Sequence, residues 1–310
     1  MTDPRADHAP EVLAALAVAA ESVRRACDGR ILELARRRIA MLSANEAELA
    51  APAWGEITSA QITDLAKWTE SPAFDDRQRA ALAFTEQFAI DVTGVLTGPL
   101  AAAAGALGAE IGPFTQGLYL LDVGQRIDVV LSALFDETVT SADWAWGAHG
   151  EIPADPMVAI MAMLAAVGRL RSVDPVTKEL MRLRGARLHR CRRCQSVRSV
   201  AALEAGIDPA LLDLENPSGS HDLSDATCAA LDLVDATFVG PPAVDAALAD
   251  GLRAGYDGRG IVELTSYLMR NACNKIPVAF GVDDAIVDDG FEYQIIDDAG
   301  ETVTVDGPFA

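Results

Sequence analysis

The run Thr177-Lys-Glu-Leu-Met-Arg-Leu-Arg-Gly-Ala-Arg-Leu188 has a counterpart earlier in the chain. That counterpart is Ile31-Leu-Glu-Leu-Ala-Arg-Arg-Arg-Ile-Ala-Met-Leu42, at an offset of 146 residues. Glu33 falls on Glu179, Arg36 on Arg182 and Arg38 on Arg184. A second match, Asp76 to Phe84 on Asp225 to Leu233, lies at an offset of 149, and at that offset Gln125-Arg-Ile127 falls on Asn274-Lys-Ile276. Two separated matches at nearly one offset predict a duplicated unit. Alanine-rich helices can also align by composition alone. The predicted boundary is Gly147 to Asp155, a stretch with Gly, His and Pro. The predicted organisation is residues 1–150, 151–290 and a tail of 291–310.

Both units read as helical. Apolar residues recur at i, i+3, i+4 spacing in Glu11–Arg25, Arg30–Leu42, Asp75–Ile90 and Ile111–Phe135 of the first half. In the second half the same spacing marks Pro156–Arg171, Pro175–Leu188, Arg192–Ala205, Leu223–Phe238, Ala243–Ala254 and Gly258–Phe280. Strand alternation appears only at Phe291–Ile296 and Glu301–Val305, on either side of Asp297-Asp-Ala-Gly, which predicts a short hairpin. The expectation is therefore an all-α fold, a tandem repeat with a C-terminal β-hairpin. Abundant alanine, the best helix former, fits it.

The chain has 310 residues, 50% of them hydrophobic, and a net charge of −21. That charge repels nucleic acid and anionic membranes, so neither is an expected partner. The longest uncharged run, Val92 to Ala109, holds Pro99 and four glycines and suits a buried helix–loop segment better than a membrane span. The first ten residues carry acids and no basic leader, so no secretory signal is expected. With five cysteines, an odd number, a disulfide framework is not expected, and a reducing cytoplasmic setting is.

The chemistry concentrates in Arg187-Leu-His-Arg-Cys191-Arg-Arg-Cys194-Gln-Ser-Val-Arg198. Residues three apart share a helical face, so the two sulfurs can meet. Seven arginines between positions 182 and 198 form a basic island that would favour a thiolate. A zinc knuckle needs more ligands than one pair supplies, and no metal or other cofactor is expected. A thioredoxin-type site needs a βαβ setting. Inert buried thiols remain an alternative to thiol–disulfide or peroxide chemistry. At a helix start the first cysteine is ordinarily the more exposed and acidic one, which points to Cys191 as nucleophile. In the first unit the same places hold Asn45 and Glu48, so no thiol chemistry is expected there. Cys27, Cys228 and Cys273 read as buried structural thiols. Trp54, Trp68, Trp144 and Trp146 read as inter-helix packing. Asn271 and Asn274 are candidates for hydrogen bonds between helices.

Lys178-Glu-Leu-Met-Arg-Leu-Arg, a short connector and Cys-x-x-Cys resemble the AhpD-like alkylhydroperoxidases of the carboxymuconolactone decarboxylase superfamily. Glu263 to Ala279 resembles that superfamily's closing helix. The resemblance covers roughly 174–283 and, more weakly, 29–136. It implies a helical homo-oligomer with peroxiredoxin-type alkylhydroperoxidase activity. It implies that Cys194 attacks a hydroperoxide substrate and condenses with Cys191, that Glu179 belongs to a proton relay, and that an external dithiol reductant protein restores the thiols. The family's relay histidine positions hold Arg193 and Arg198 here. Arginine stabilises a thiolate but does not shuttle protons at neutral pH, which leaves His189 as the replacement placed by sequence. The competing functional readings are a redox-sensing or binding protein without turnover, and a decarboxylase-like lyase in which the thiols are idle.

Overall fold

The computed structural model describes residues 3–307. It is mostly helical, with one small three-stranded sheet. Aspartate starts many of the helices: Asp28, Asp75, Asp155, Asp174, Asp208, Asp245 and Asp257 each accept a backbone N–H at an N-cap. Part of the acidic excess is thus placed where free N–H groups and the helix dipole favour it.

One main hydrophobic core runs through both halves of the chain, from Ala9 to Ala279. The helix Pro10–Ala26 packs along Pro156–Gly168, and the long helix Ile111–Phe135 packs along Gly258–Ala272. Across the second contact, the Tyr119 hydroxyl donates to the Met269 carbonyl at 2.8 Å. Asp122 is fully buried between Arg126, at 2.8 Å, and Lys275, at 2.5 Å. Burial opposes its charge, but the two cations hold its carboxyl below the usual range. Trp54, Trp68 and Trp144 are buried, with Trp54 edge-on to Trp144, whereas Trp146 is exposed and stacks on Arg24.

Two predicted helices are broken, each for a local reason. Gly258–Phe280 stops at Ala272 and resumes over Lys275–Ala279. Pro277 has no N–H for the Cys273 carbonyl, which takes the Ile276 N–H instead. Arg192–Ala205 becomes one helical turn, Arg192–Gln195, then a strand, β1 (Val197–Ser199), then Val200–Glu204. Side chains claim the carbonyls that would have continued the helix. Arg182 takes those of Cys194 and Val197, and Arg198 takes that of Gln195.

The expected hairpin forms as β2 (Glu292–Ile296) and β3 (Thr302–Val305), antiparallel, with Ile296 opposite Thr302. Strand β1 adds to it in parallel, with Val197 opposite Glu292. The chain is therefore not purely helical: the segment after the cysteines is the third strand of the C-terminal sheet. The turn at Asp297–Gly300 is pressed onto the end of the Pro156–Gly168 helix. A Cβ on Gly300, which has φ of +85°, would stand 2.0 Å from the Ala165 carbonyl oxygen, and one on Gly168 would stand 2.1 Å from that of Gly300. Gly168→Ala is expected to lift the turn from the helix at a cost of about 1–3 kcal/mol. Faster amide exchange in β2 and β3 than in the long helices, together with a lower Tm, would show it. Unchanged exchange there would refute the docking argument.

Candidate functional site

The helix Pro175–Leu188 carries the scaffold of the site. Glu179 and Arg182, one turn apart on it, form a buried pair: Arg182 Nε and Nη2 donate to the two Glu179 oxygens at 2.7 and 2.8 Å. The remaining guanidinium edge donates to the Cys194 carbonyl at 2.6 Å and the Val197 carbonyl at 2.7 Å. Glu179 also accepts the Ser199 N–H at 3.1 Å. The pair therefore grips the backbone from Cys194 through Ser199, at the end of the cysteine turn.

Cys191 caps the turn Arg192–Gln195, its sulfur accepting the Cys194 N–H at 3.2 Å. The Cα atoms of Cys191 and Cys194 are 5.4 Å apart and the sulfurs are within disulfide-bonding distance. Cys191 is 1% exposed, whereas Cys194 is half-buried. The exposure expected from position in the turn is thus reversed. The reason is the Arg190 backbone, which adopts φ of +53° and turns Cys191 inward so that its N–H reaches the Ala186 carbonyl.

A cavity of about 480 Å³ opens beside the pair. Cys191, Cys194, Arg182 and Arg193 line it, and the C-terminal sheet forms a further wall. Glu179, His189 and Arg198 are not part of that lining. His189 is buried, with Nδ1 2.8 Å from Asn274 Oδ1 and its ring edge-on to Phe238. Burial, with the Lys275 charge behind it, pushes its imidazole down to about 3. Arg198 stacks on Phe291 and lies 3.5 Å from Asp213. The candidate relay groups are therefore fixed in supporting positions around the cysteine turn, and no imidazole faces the cavity among the described residues.

The basic island is largely neutralised. Arg182, Arg184, Arg190, Arg192 and Arg198 each have a carboxylate partner within 4 Å. Arg187 is spent on the Leu212 carbonyl. In so acidic a chain, carboxylates reach most of the guanidinium groups. Arg193 is exposed, lines the cavity and has no carboxylate partner among the described residues. No group of three or more His, Cys, Asp or Glu side chains suited to a metal occurs among the described residues. Of the other thiols, Cys273 also lines the cavity. It and Cys27 are half-buried, and burial pushes both up to about 12. The sequence reading missed the contributions of Arg270, Asn271 and Glu292 to the cavity, because they meet only through the C-terminal sheet.

The first half has several matching hydrogen bonds. Arg36 donates to Glu33 at 2.8 and 2.9 Å and to the Glu48 carbonyl at 2.6 Å. Ala44 has φ of +52°, the Asn45 N–H reaches the Ala40 carbonyl, and Asn45 accepts the Glu48 N–H. The side chain at the Cys194 position differs. The Glu48 carboxylate turns inward onto Arg36 and the Ser141 hydroxyl and N–H.

The chain is 34% identical over 240 residues, 76% of its length, to the uncharacterised protein Rv2313c of Mycobacterium tuberculosis strain H37Rv. That stretch is 82% of the relative, and the uncharacterised protein MT2376 of strain CDC 1551 gives the same values. The chain belongs to the family of these mycobacterial proteins. It is also 33% identical over 97 residues to the uncharacterised Escherichia coli protein YnjA, a stretch covering 31% of this chain and 53% of that one. No family profile and no solved structure matches the chain.

The neutral, buried His189 makes acid stability a test of the site. The unfolded imidazole takes a proton below about pH 6.5, whereas the folded one resists until about pH 3. The unfolded state then binds more protons, so stability falls as pH drops through this window, by about 1.4 kcal/mol per unit. Asp128, pushed by burial up to about 7, acts in the opposite sense between about pH 4 and 7. The histidine's share is therefore read as a difference. His189→Gln is expected to flatten the loss between pH 6.5 and 3 in urea unfolding, and parallel pH profiles would contradict the assignment.

Proposed function

We propose that the protein is a thiol-dependent peroxidase of the AhpD-like type, in which Cys191 and Cys194 pass through a dithiol–disulfide cycle. The observation that carries this reading is the pairing of the two sulfurs at the wall of a cavity, with Cys194 the more accessible. Cys194 thiolate attacks the terminal oxygen of a hydroperoxide. The S–O bond forms, the O–O bond breaks, and the alkoxide takes a proton from water to leave as alcohol. The Cys191 sulfur then attacks the resulting sulfenic acid, forming the disulfide and releasing water. An external dithiol protein returns two electrons and two protons by exchange and is itself oxidised to a disulfide.

Arg193 supplies the positive charge at the cavity wall that favours thiolate, whereas Arg182 is balanced by Glu179. Glu179 is a positioning residue in this scheme, because its oxygens are taken by Arg182 and the Ser199 N–H. His189 and Arg198 likewise support the turn rather than move protons. The two halves are a tandem repeat, divided near residue 150, whose first copy has exchanged the thiol site for a closed Glu33–Arg36–Glu48 cluster. The matching hydrogen bonds and matching positive φ at Ala44 and Arg190 support this duplication. Among the described residues no helix is long and apolar enough to cross a membrane. The proposed setting is the reducing cytoplasm, where a homo-oligomer would meet its reductant protein.

The test is consumption of tert-butyl hydroperoxide by reduced protein with excess dithiothreitol. Cys194→Ser is expected to abolish turnover. Cys191→Ser, pre-reduced and then freed of dithiothreitol, is expected to consume one equivalent of peroxide and stop, leaving a sulfenic acid at Cys194 that dimedone traps and mass spectrometry locates. Turnover by Cys194→Ser, or no sulfenic acid at Cys194 in Cys191→Ser, defeats the proposal. Disulfide formation without multiple turnover in the wild type would make the pair a redox sensor instead. Arg198→His is expected to change the rate by far less than the roughly 10²-fold that a general acid–base group supplies.

A further inference from the structure

The cavity beside the cysteines has a polarity that the peroxide reaction does not require. At one end lies Arg270. Its guanidinium donates to the carbonyls of Leu164 and Gly300 and, at 2.7 Å, to Thr302 Oγ1. These contacts occupy both Nη1 hydrogens and one Nη2 hydrogen. Nε–H and the second Nη2 hydrogen have no acceptor among the described residues, and no carboxylate there lies within ion-pair distance. In a chain with 46 acidic and 25 basic residues, a mostly buried arginine without a counter-ion is conspicuous. Burial lowers its proton affinity, and Arg171 adds to that. Asn271, next to it on the same helix, has a buried side-chain nitrogen with no acceptor and also lines the cavity.

The other end is set by Glu292. It stands opposite Val197, three residues after Cys194, whereas Thr302 stands opposite Ile296 at the far end of β2. Four residues of strand separate the two ends, about 13 Å at the usual rise. Glu292 has a buried carboxylate oxygen with no donor. Met157, Leu164, Ile276 and Ile296 give the walls apolar surface, with Gln294 and Thr304 as polar groups among them.

We infer that this cavity binds a medium-chain monocarboxylate, its carboxylate on Arg270 and Asn271 and its chain running along β2 toward Cys194. The two free guanidinium hydrogens and the Asn271 amide are donors without acceptors, which a carboxylate supplies. The apolar side chains take the chain. As a substrate class, the inference rests on the peroxidase reading and names a hydroperoxide of such an acid, with the peroxide group distal to the carboxylate. As a binding site, it stands without that reading.

Decanoate, which carries no peroxide, probes the site directly. By calorimetry at neutral pH, decanoate is expected to bind at least about tenfold more tightly than decan-1-ol, the size of one charge-assisted hydrogen bond. Arg270→Gln should remove the preference for decanoate over decanol, and Arg270→Lys should restore part of it. Met157→Trp, which fills the cavity from its half-exposed rim, should weaken both ligands. Bound decanoate should slow alkylation of Cys194 in reduced protein by iodoacetamide. Equal affinity for decanoate and decanol in the wild type, or binding that leaves Cys194 alkylation unchanged, overturns the inference. Failure of peroxide turnover with decanoate binding intact would instead overturn the peroxidase reading and leave the site standing.

Discussion

Arg182 reaches two carbonyls, Cys194 and Val197, that a continuing helix would have bonded internally. Its charge is balanced by Glu179 one turn back, and both are buried. Removing either partner leaves the other charged and desolvated, at a cost of about 3–5 kcal/mol, so the two are bound to act as a unit. What they hold together is the transition from helix to strand. With those carbonyls engaged, the chain leaves its helical path after Gln195, runs extended as β1, and offers an edge to β2. The C-terminal sheet, and with it one wall of the cavity, depends on this ion pair. The cysteine turn and the cavity wall therefore have a common anchor.

The first half shows what the same anchor does with a different side chain. Arg36 and Glu33 hold the Glu48 carbonyl as Arg182 and Glu179 hold that of Cys194. A carboxylate at this position cannot remain buried without donors. It finds them in Arg36 and Ser141, and Trp54 closes over the cluster with its N–H on Glu33. A thiol is small and only weakly polar, so it needs no such enclosure. Cys194 can thus stay at a cavity wall, and the same backbone yields a closed polar cluster in one half and an open sulfur site in the other.

The helices were legible because their signals are local. The 3.6-residue periodicity gives the positions of the long ones to within a few residues, and the Asp-Ala-Gly turn gives the hairpin. The pair Cys191–Cys194 and the Glu33/Glu179 correspondence were also visible in the residues alone. The breaks at Val197 and Cys273 were less so. Arg192–Ala205 has an acceptable helical pattern, and only a guanidinium arriving from the preceding helix redirects it. The exposure order of the two thiols depends on one residue, Arg190, in the left-handed region, where the sequence offers arginine rather than glycine. The basic island looks cationic in sequence because its counter-charges, Asp91, Asp283, Asp235 and Asp213 among them, lie up to about a hundred residues away.

That neutralisation bears on how a thiolate is held. Arginines already bonded to carboxylates form near-neutral pairs, whose field falls off quickly with distance. Of the island, Arg193 alone among the described residues lines the cavity without a carboxylate partner. Cys191 is enclosed, whereas Cys194 is half-exposed and follows Arg193 at the cavity wall. In the proposed cycle this asymmetry gives attack to the outer sulfur and condensation to the inner one, which accepts the Cys194 N–H. The pair is ordered by its surroundings rather than by an imidazole, and those surroundings trace back to the arginine that bends the chain.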